Sequence, residues 1–364
     1  MSDKIYFTPG PTQMYPGMSQ FLQDAMQEDV ASISHRSDAF RDIYKTAVEG
    51  LKALLELPDN YHVLFLGSAS EAWERILLNT VEQKSFHFVN GSFSKKFHQY
   101  ATGLGKEAAK ATTPFGEGFH PESLTIDEDN ELIAVTQNET SSGVAFPLED
   151  IYALRKRYPE QLLAVDMVSC IPVPPMDFTQ IDTAFFSVQK CFGMPAGLGV
   201  WLVNDRCIQK NKTLTDKGIL TGPHHNLAEL VKKAKDYQTP STPNVLAIYL
   251  LGKVCNDMLK RGINTIREES QEKFNILSKL IEDCSFLKPA VNESTHRSKT
   301  VIVANTKIPA SELNKRLSRK NMMIGSGYGD YKNSQIRIAS FPCHSVEDIK
   351  SLSTALFLED KLIA

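Results

Sequence analysis

The stretch AFFSVQKCFGMPAGLGVWLV, residues 184–203, reads as a buried strand, a glycine-punctuated loop and a second apolar strand. Lys190 stands in the middle of it. An ammonium on a flexible stem belongs on a solvated face, and burying one without a partner costs several kcal/mol or forces it neutral. A lysine kept at this junction points to a chemical task, with a snorkelling or salt-bridged side chain as the plain alternative.

Similar short apolar runs lie on either side: YHVLFL (61–66), FHFVN (86–90), ELIAVTQNET (131–140), LLAVDMVS (162–169) and GVWLV (199–203). Most are separated by helical or turn-rich segments, which predicts an α/β fold with a mainly parallel sheet covered on both faces. FRDIYKTAVEGLKALLEL (40–57) puts Phe40, Ile43, Tyr44, Ala47, Val48, Leu51, Leu54 and Leu55 on one helical stripe, and Pro58 ends it. Proline clusters at IPVPPMD (171–177) and QTPSTPN (238–244) mark connections. From VLAIYLLGKVCNDMLKRG (245–262) onward, long amphipathic helices alternate with fewer strands, so a second domain is expected to start near residue 255.

A chain of 364 residues exceeds the roughly 250–300 at which one core stops growing, so one large and one smaller domain are expected. A formal charge of -3 gives no electrostatic reason to expect nucleic acid or an anionic membrane as partner. The six cysteines form no C-x-x-C pair and no Cys/His spacing suited to zinc, so no metal is expected and a reduced, cytoplasmic protein is the simplest reading. The start, MSDKIYFTPGPTQ, has no apolar core of a signal peptide, and no run approaches the ~18 apolar residues of a membrane span.

In a parallel sheet, functional groups gather where strand C-terminal ends meet loops. After VLFL come Gly67, Ser68, Ala69 and Ser70, whose amides would open a helix toward an anion, a phosphate above all. The plain alternative is a helix cap by Ser68 or Ser70. LLAVD ends in Asp166, an acid that needs a cation or several hydrogen bonds to stay charged, or else caps a turn. Together with Lys190 these features describe one ligand: a phosphate, a ring nitrogen to be kept protonated, and an aldehyde to be held as an imine. Pyridoxal phosphate is that ligand. Desolvation at an apolar junction lowers the lysine pKa and makes the amine a nucleophile.

The motifs TPGP (8–11), SHRS (34–37), YHVLFLGSAS (61–70), QNETSSG (137–143), VDMVS (165–169), QKCFGMPAGLGV (189–200), QTPSTP (238–243) and IRIAS (336–340) follow one another in an order and spacing that resembles the class V aminotransferases over essentially the whole chain. Within them the chain is most similar to phosphoserine aminotransferases. The resemblance implies fold type I, with a large cofactor-binding domain at 16–255 carrying a mainly parallel seven-stranded sheet. A smaller C-terminal α+β domain at 256–364 would take in the N-terminal segment 1–15. It implies a homodimer with shared active sites and transamination between phosphoserine and 2-oxoglutarate. The alternatives are another class V reaction, such as alanine or serine with glyoxylate or pyruvate, and more remotely a non-catalytic binding module on the same fold. A cysteine desulfurase would need a cysteine on a loop ahead of Arg337, and none is there.

Carried over position by position, the resemblance implies that Lys190 forms the Schiff base and Asp166 pairs with the pyridinium nitrogen. Gln189 and the Ala69 and Ser70 amides would hold the phosphate. Phe93 falls where a tryptophan is usual, and it would still stack on the ring. Thr140 would sit by the phenolic oxygen. Gln238 and Thr239 match a segment that reaches the neighbouring subunit's phosphate. Arg337, alternating with Ile336 and Ile338 on a strand, would grip the substrate carboxylate with its planar fork. His35 and Arg36 match a pair that reaches the substrate's side-chain phosphate. A second His-Arg pair, expected before Arg337, is absent from IGSGYGDYKNSQIR (324–337), where Lys332 or Tyr328 would be the substitute, and Pro9 replaces a common serine. For Phe93, Thr140, the 238–239 segment and Arg337 the plain readings are, in turn, a core ring, a turn cap, a solvated loop and a surface strand arginine.

Overall fold

A computed structural model describes residues 4–361. The outermost ends of the expected smaller domain, 1–3 and 362–364, lie outside the described residues. In chain order the strands are β1 (Ile5–Phe7), β2 (Tyr61–Leu66), β3 (Lys84–Val89), β4 (Glu107–Thr112), β5 (Leu132–Thr136), the two-residue pair β6 (Asn138–Glu139) and β7 (Val144–Ala145), β8 (Leu162–Asp166), β9 (Thr183–Ser187), β10 (Gly199–Asn204), β11 (Leu287–Pro289), β12 (Val301–Thr306), β13 (Met322–Ser326) and β14 (Gln335–Ala339). The seven-stranded sheet has the order β2-β10-β9-β8-β5-β3-β4. β10 runs antiparallel to both neighbours and the other pairings are parallel. The expected mainly parallel sheet is present.

β5, β8, β9 and β10 are buried at every residue, which is why they read as unbroken apolar runs instead of alternating ones. Two apolar cores flank this sheet, one on each face. The helix Asp38–Leu55 starts where Ser37 accepts from the Phe40 N–H, and it buries Phe40, Tyr44, Ala47, Val48, Leu51, Leu54 and Leu55. It ends one turn before Pro58, at Glu56 in the left-handed region. A five-stranded sheet, β1-β13-β14-β12-β11, gathers the N-terminal strand with four late ones over a third core. Among the described residues no helix is long and apolar enough to cross a membrane.

Candidate active site

Three adjacent parallel strands end side by side: Thr136 closes β5, Asp166 closes β8 and Ser187 closes β9. With Gln189 and Lys190 just past β9, they line a cavity of about 90 Å3 completed by Ala69, Ser70, Trp73, Phe93, Asn138, Thr140 and Val168.

Lys190 is 7% exposed, and its Nζ donates to Thr140 Oγ1 at 3.0 Å and lies 5.0 Å from the Phe93 ring centroid. The segment TPGP runs over its stem: at Gly10, with φ +133°, an added Cβ would meet Lys190 Cε at 3.0 Å, so the position demands glycine twice over. Burial pulls the Lys190 pKa down, opposed chiefly by Asp166. The Asp166 carboxyl is pushed up to about 7 by burial, while the Val168 N–H, bound at 2.9 Å, and Lys190 pull it back. A buried acid of this kind is suited to a cationic partner.

The helix Ala69–Thr80 opens onto the cavity. Ser68 does act as its cap, accepting from the Glu71 N–H, and the Ala69 N–H donates to Ser187 Oγ at 2.8 Å. Of the two amides expected to face an anion, that of Ala69 is thus shared with Ser187. A Cβ on Gly199 would come 2.4 Å from the Ser68 carbonyl carbon, so β10 can enter beside this loop only without a side chain. Trp73 Nε1 is buried in the cavity region on the side of the Asp166 carboxyl, whose pKa it helps pull down. A phosphate has the amides at the start of this helix and Gln189, a protonated ring nitrogen has the Asp166 carboxylate as acceptor, and an aldehyde has the Lys190 amine, so pyridoxal phosphate fits the residues present.

Phe93 owes its place to Glu139, which the sequence reading passed over beside Thr140. The fully buried Glu139 carboxylate accepts from the Phe93 and Ser94 N–H groups, from Ser94 Oγ, and from the N–H and Oγ of Ser141. It caps the helix Ser92–Gly103 from a distant loop. A Cβ at Gly91 would sit 2.4 Å from Glu139 Cγ.

At the rim, Arg337 Nε donates to Ser326 O at 2.7 Å and its Nη1 to Thr140 O at 3.3 Å. Its guanidinium carbon lies 5.4 Å from the Tyr328 ring, which packs 5.4 Å from Phe93. Lys96, one turn after Phe93 on the same helix, donates to Tyr328 Oη at 3.1 Å and lies 5.5 Å from the Phe93 ring. Nothing in the sequence marks Lys96 beyond its three-residue spacing from Phe93.

The remaining candidates sit apart from this cavity. Arg36 donates to Gln238 Oε1, Thr239 O and Pro240 O at 3.3, 2.9 and 2.9 Å. His35 is beside it, its pKa pulled down by partial burial and by Arg36. Thr239 Oγ1 donates to Ser241 O. These four residues form one unit, and none of them lines the cavity around Lys190. All six cysteines are buried and unpaired in disulfides.

The family model described as aminotransferase class-V matches residues 118–337. A phosphoserine aminotransferase of Rhodococcus opacus is 27% identical over 357 residues, covering 96% of this chain and 93% of the relative. A solved phosphoserine aminotransferase from Cytophaga hutchinsonii superposes with a TM-score of 0.97 at 50% identity, covering 99% of each chain. An aspartate aminotransferase from Thermus thermophilus, at 21% identity, 98% coverage of both chains and a TM-score of 0.85, shares the fold.

Proposed function

The chain belongs to the class V aminotransferases, and on that premise we propose that it is a pyridoxal phosphate enzyme that moves an amino group between phosphoserine and 2-oxoglutarate. The observation that carries this reading is the buried Lys190 amine and the buried Asp166 carboxyl lining one cavity at the open ends of neighbouring strands.

In this reading Ser70, Ala69 and Gln189 hold the cofactor phosphate, Asp166 the ring nitrogen, Phe93 one ring face, Thr140 the phenolic oxygen and Lys190 the aldehyde carbon. The cofactor, when bound, supplies an electron sink for charge developing at the substrate α-carbon. The chain supplies the rest. Lys190 Nζ, whose pKa burial pulls below that of a free lysine, is the group that takes up and returns the proton. Thr140 Oγ1 fixes the direction of that amine. Arg337 grips the substrate carboxylate, its fork already oriented by Ser326 O and Thr140 O. Tyr328, one of the two residues expected to substitute for the missing second His-Arg pair, and Lys96 bonded to it offer one hydroxyl and one cation to an anionic substrate side chain.

A homodimer belongs to the same proposal. Arg36 ties SHRS to the 238–240 loop as one unit off the chain's own cavity, which supports its serving a second copy's site. The division into 16–255 and 256–364 with 1–15 is likewise proposed.

Steady-state turnover with paired donors and acceptors tests the substrate. Rapid use of phosphoserine with 2-oxoglutarate is expected, and negligible use of it beside rapid use of alanine or serine with glyoxylate would overturn the assignment.

A further inference from the structure

Far along the chain from the catalytic lysine, three side chains converge from loops attached to two different sheets. His120 leads into the turn Pro121–Ser123 before β5, whereas Glu293 and His296 flank and close the turn Ser294–His296 between β11 and β12. Glu293 Oε2 lies 3.4 Å from His120 Nε2 and 3.3 Å from His296 Nδ1, and the ligand atoms of all three lie within 4.8 Å of one another. We propose that His120, Glu293 and His296 form a binding site for a divalent transition metal ion, zinc above all, that clasps the loop before β5 to the five-stranded sheet.

The spacing supports this. Zn2+ holds His nitrogen and carboxylate oxygen at about 2.0–2.2 Å in a tetrahedron, whose ligand-to-ligand edges are then about 3.3–3.6 Å. Both edges from Glu293 Oε2 have that length. Glu293 Oε2 therefore stands between the two rings at the span of ligands around one ion.

A second observation is independent of the cluster. His296 is 2% exposed, and its Nδ1 is buried with no hydrogen-bond partner among the described residues, an arrangement that costs free energy unless a ligand completes it. Gly118 packs against the His296 ring so closely that a Cβ there would fall 2.2 Å from Nδ1, which fixes the ring in place. The other Glu293 oxygen, Oε1, accepts from Thr295 Oγ1 at 3.0 Å, which aims Oε2 at the two rings. His120 and Glu293 are about half exposed, leaving a fourth position open to water.

The other His-acid cluster, Glu71 with His224 and His225, lacks these features: its carboxylate bonds His225 Nδ1 directly and accepts from the Gly67 N–H, and His224 is exposed. It serves as the control. The cofactor-loaded protein, freed of metal with a chelator, is titrated with Co2+ and then Zn2+. One Co2+ per subunit with the visible bands of a four-coordinate ion is expected, displaced by Zn2+. His120→Ala and Glu293→Gln, both at exposed positions that leave the core untouched, are expected to weaken binding at least tenfold, and His225→Ala to leave it unchanged. Absence of these bands, undiminished affinity in His120→Ala and Glu293→Gln, or loss of binding in His225→Ala would each overturn the assignment.

Discussion

Lys190 Nζ donates to Thr140 Oγ1 across 3.0 Å, joining the loop after β9 to the loop after β6 inside the cavity. That bond fixes where the amine points. Thr140→Val deletes the acceptor and keeps the volume, and a hydrogen bond to a charged or near-neutral amine is worth about 1–3 kcal/mol. A fall in kcat/KM of roughly ten- to a hundredfold is expected, with Thr140→Ser close to wild type. Lys190→Ala is expected to abolish turnover and to leave no borohydride-reducible linkage to the cofactor. A Thr140→Val enzyme of full activity would remove the threonine from the proposed site.

Asp166 makes cofactor-free stability depend on pH in a direction that can be worked out. Its carboxyl titrates near 3.8 when unfolded and about 7 when buried in the fold. Below 3.8 it is protonated in both states and contributes nothing. Between 3.8 and 7 the folded state holds the extra proton, so stability falls as pH rises, by a total of about 4 kcal/mol. Asp166→Asn is therefore expected to stabilise the cofactor-free protein at pH 8 by a few kcal/mol and to have little effect at pH 4. Urea unfolding of both proteins at the two pH values reads this, and equal differences at both would contradict it. The same variant is expected to lose most of its transaminase activity.

Glu139 bonds donors on two segments, Phe93–Ser94 and Ser141, so its removal strands several buried N–H and O–H groups at once. Glu139→Ala is expected to cost about 3 kcal/mol or more of unfolding free energy and to loosen Phe93. Chemical denaturation measures the first effect; a drop in cofactor affinity exceeding the loss in Asn79→Ala, a core change distant from Phe93, measures the second.

Lys96 is expected to read an anionic substrate side chain. Lys96→Met should raise KM for phosphoserine about tenfold, the scale of one ~1.4 kcal/mol contact, while KM for unphosphorylated serine stays unchanged. Arg337→Ala should weaken every amino acid alike, because the carboxylate is common to them all. A Lys96→Met enzyme with the wild-type preference for phosphoserine over serine would show that the side-chain group is held elsewhere.

What could be read from the chain alone was whatever local periodicity encodes. Strands buried on both faces must be apolar along their whole length, so β5, β8 and β9 stand out, and a polar residue ending such a run, Asp166 or the nearby Lys190, is conspicuous because burial makes it costly. The helix Asp38–Leu55 announces itself by its stripe in the same way. Packing between distant segments leaves no such mark. That Glu139 holds the helix under Phe93, that Lys96 and Tyr328 meet at the rim beside Arg337, and that His120 finds Glu293 and His296 depend on strand order and loop approach, which bring together residues far apart in the chain. Local propensity acts over a few residues; the meeting of groups tens to hundreds of residues apart is settled only when the elements pack in their final order.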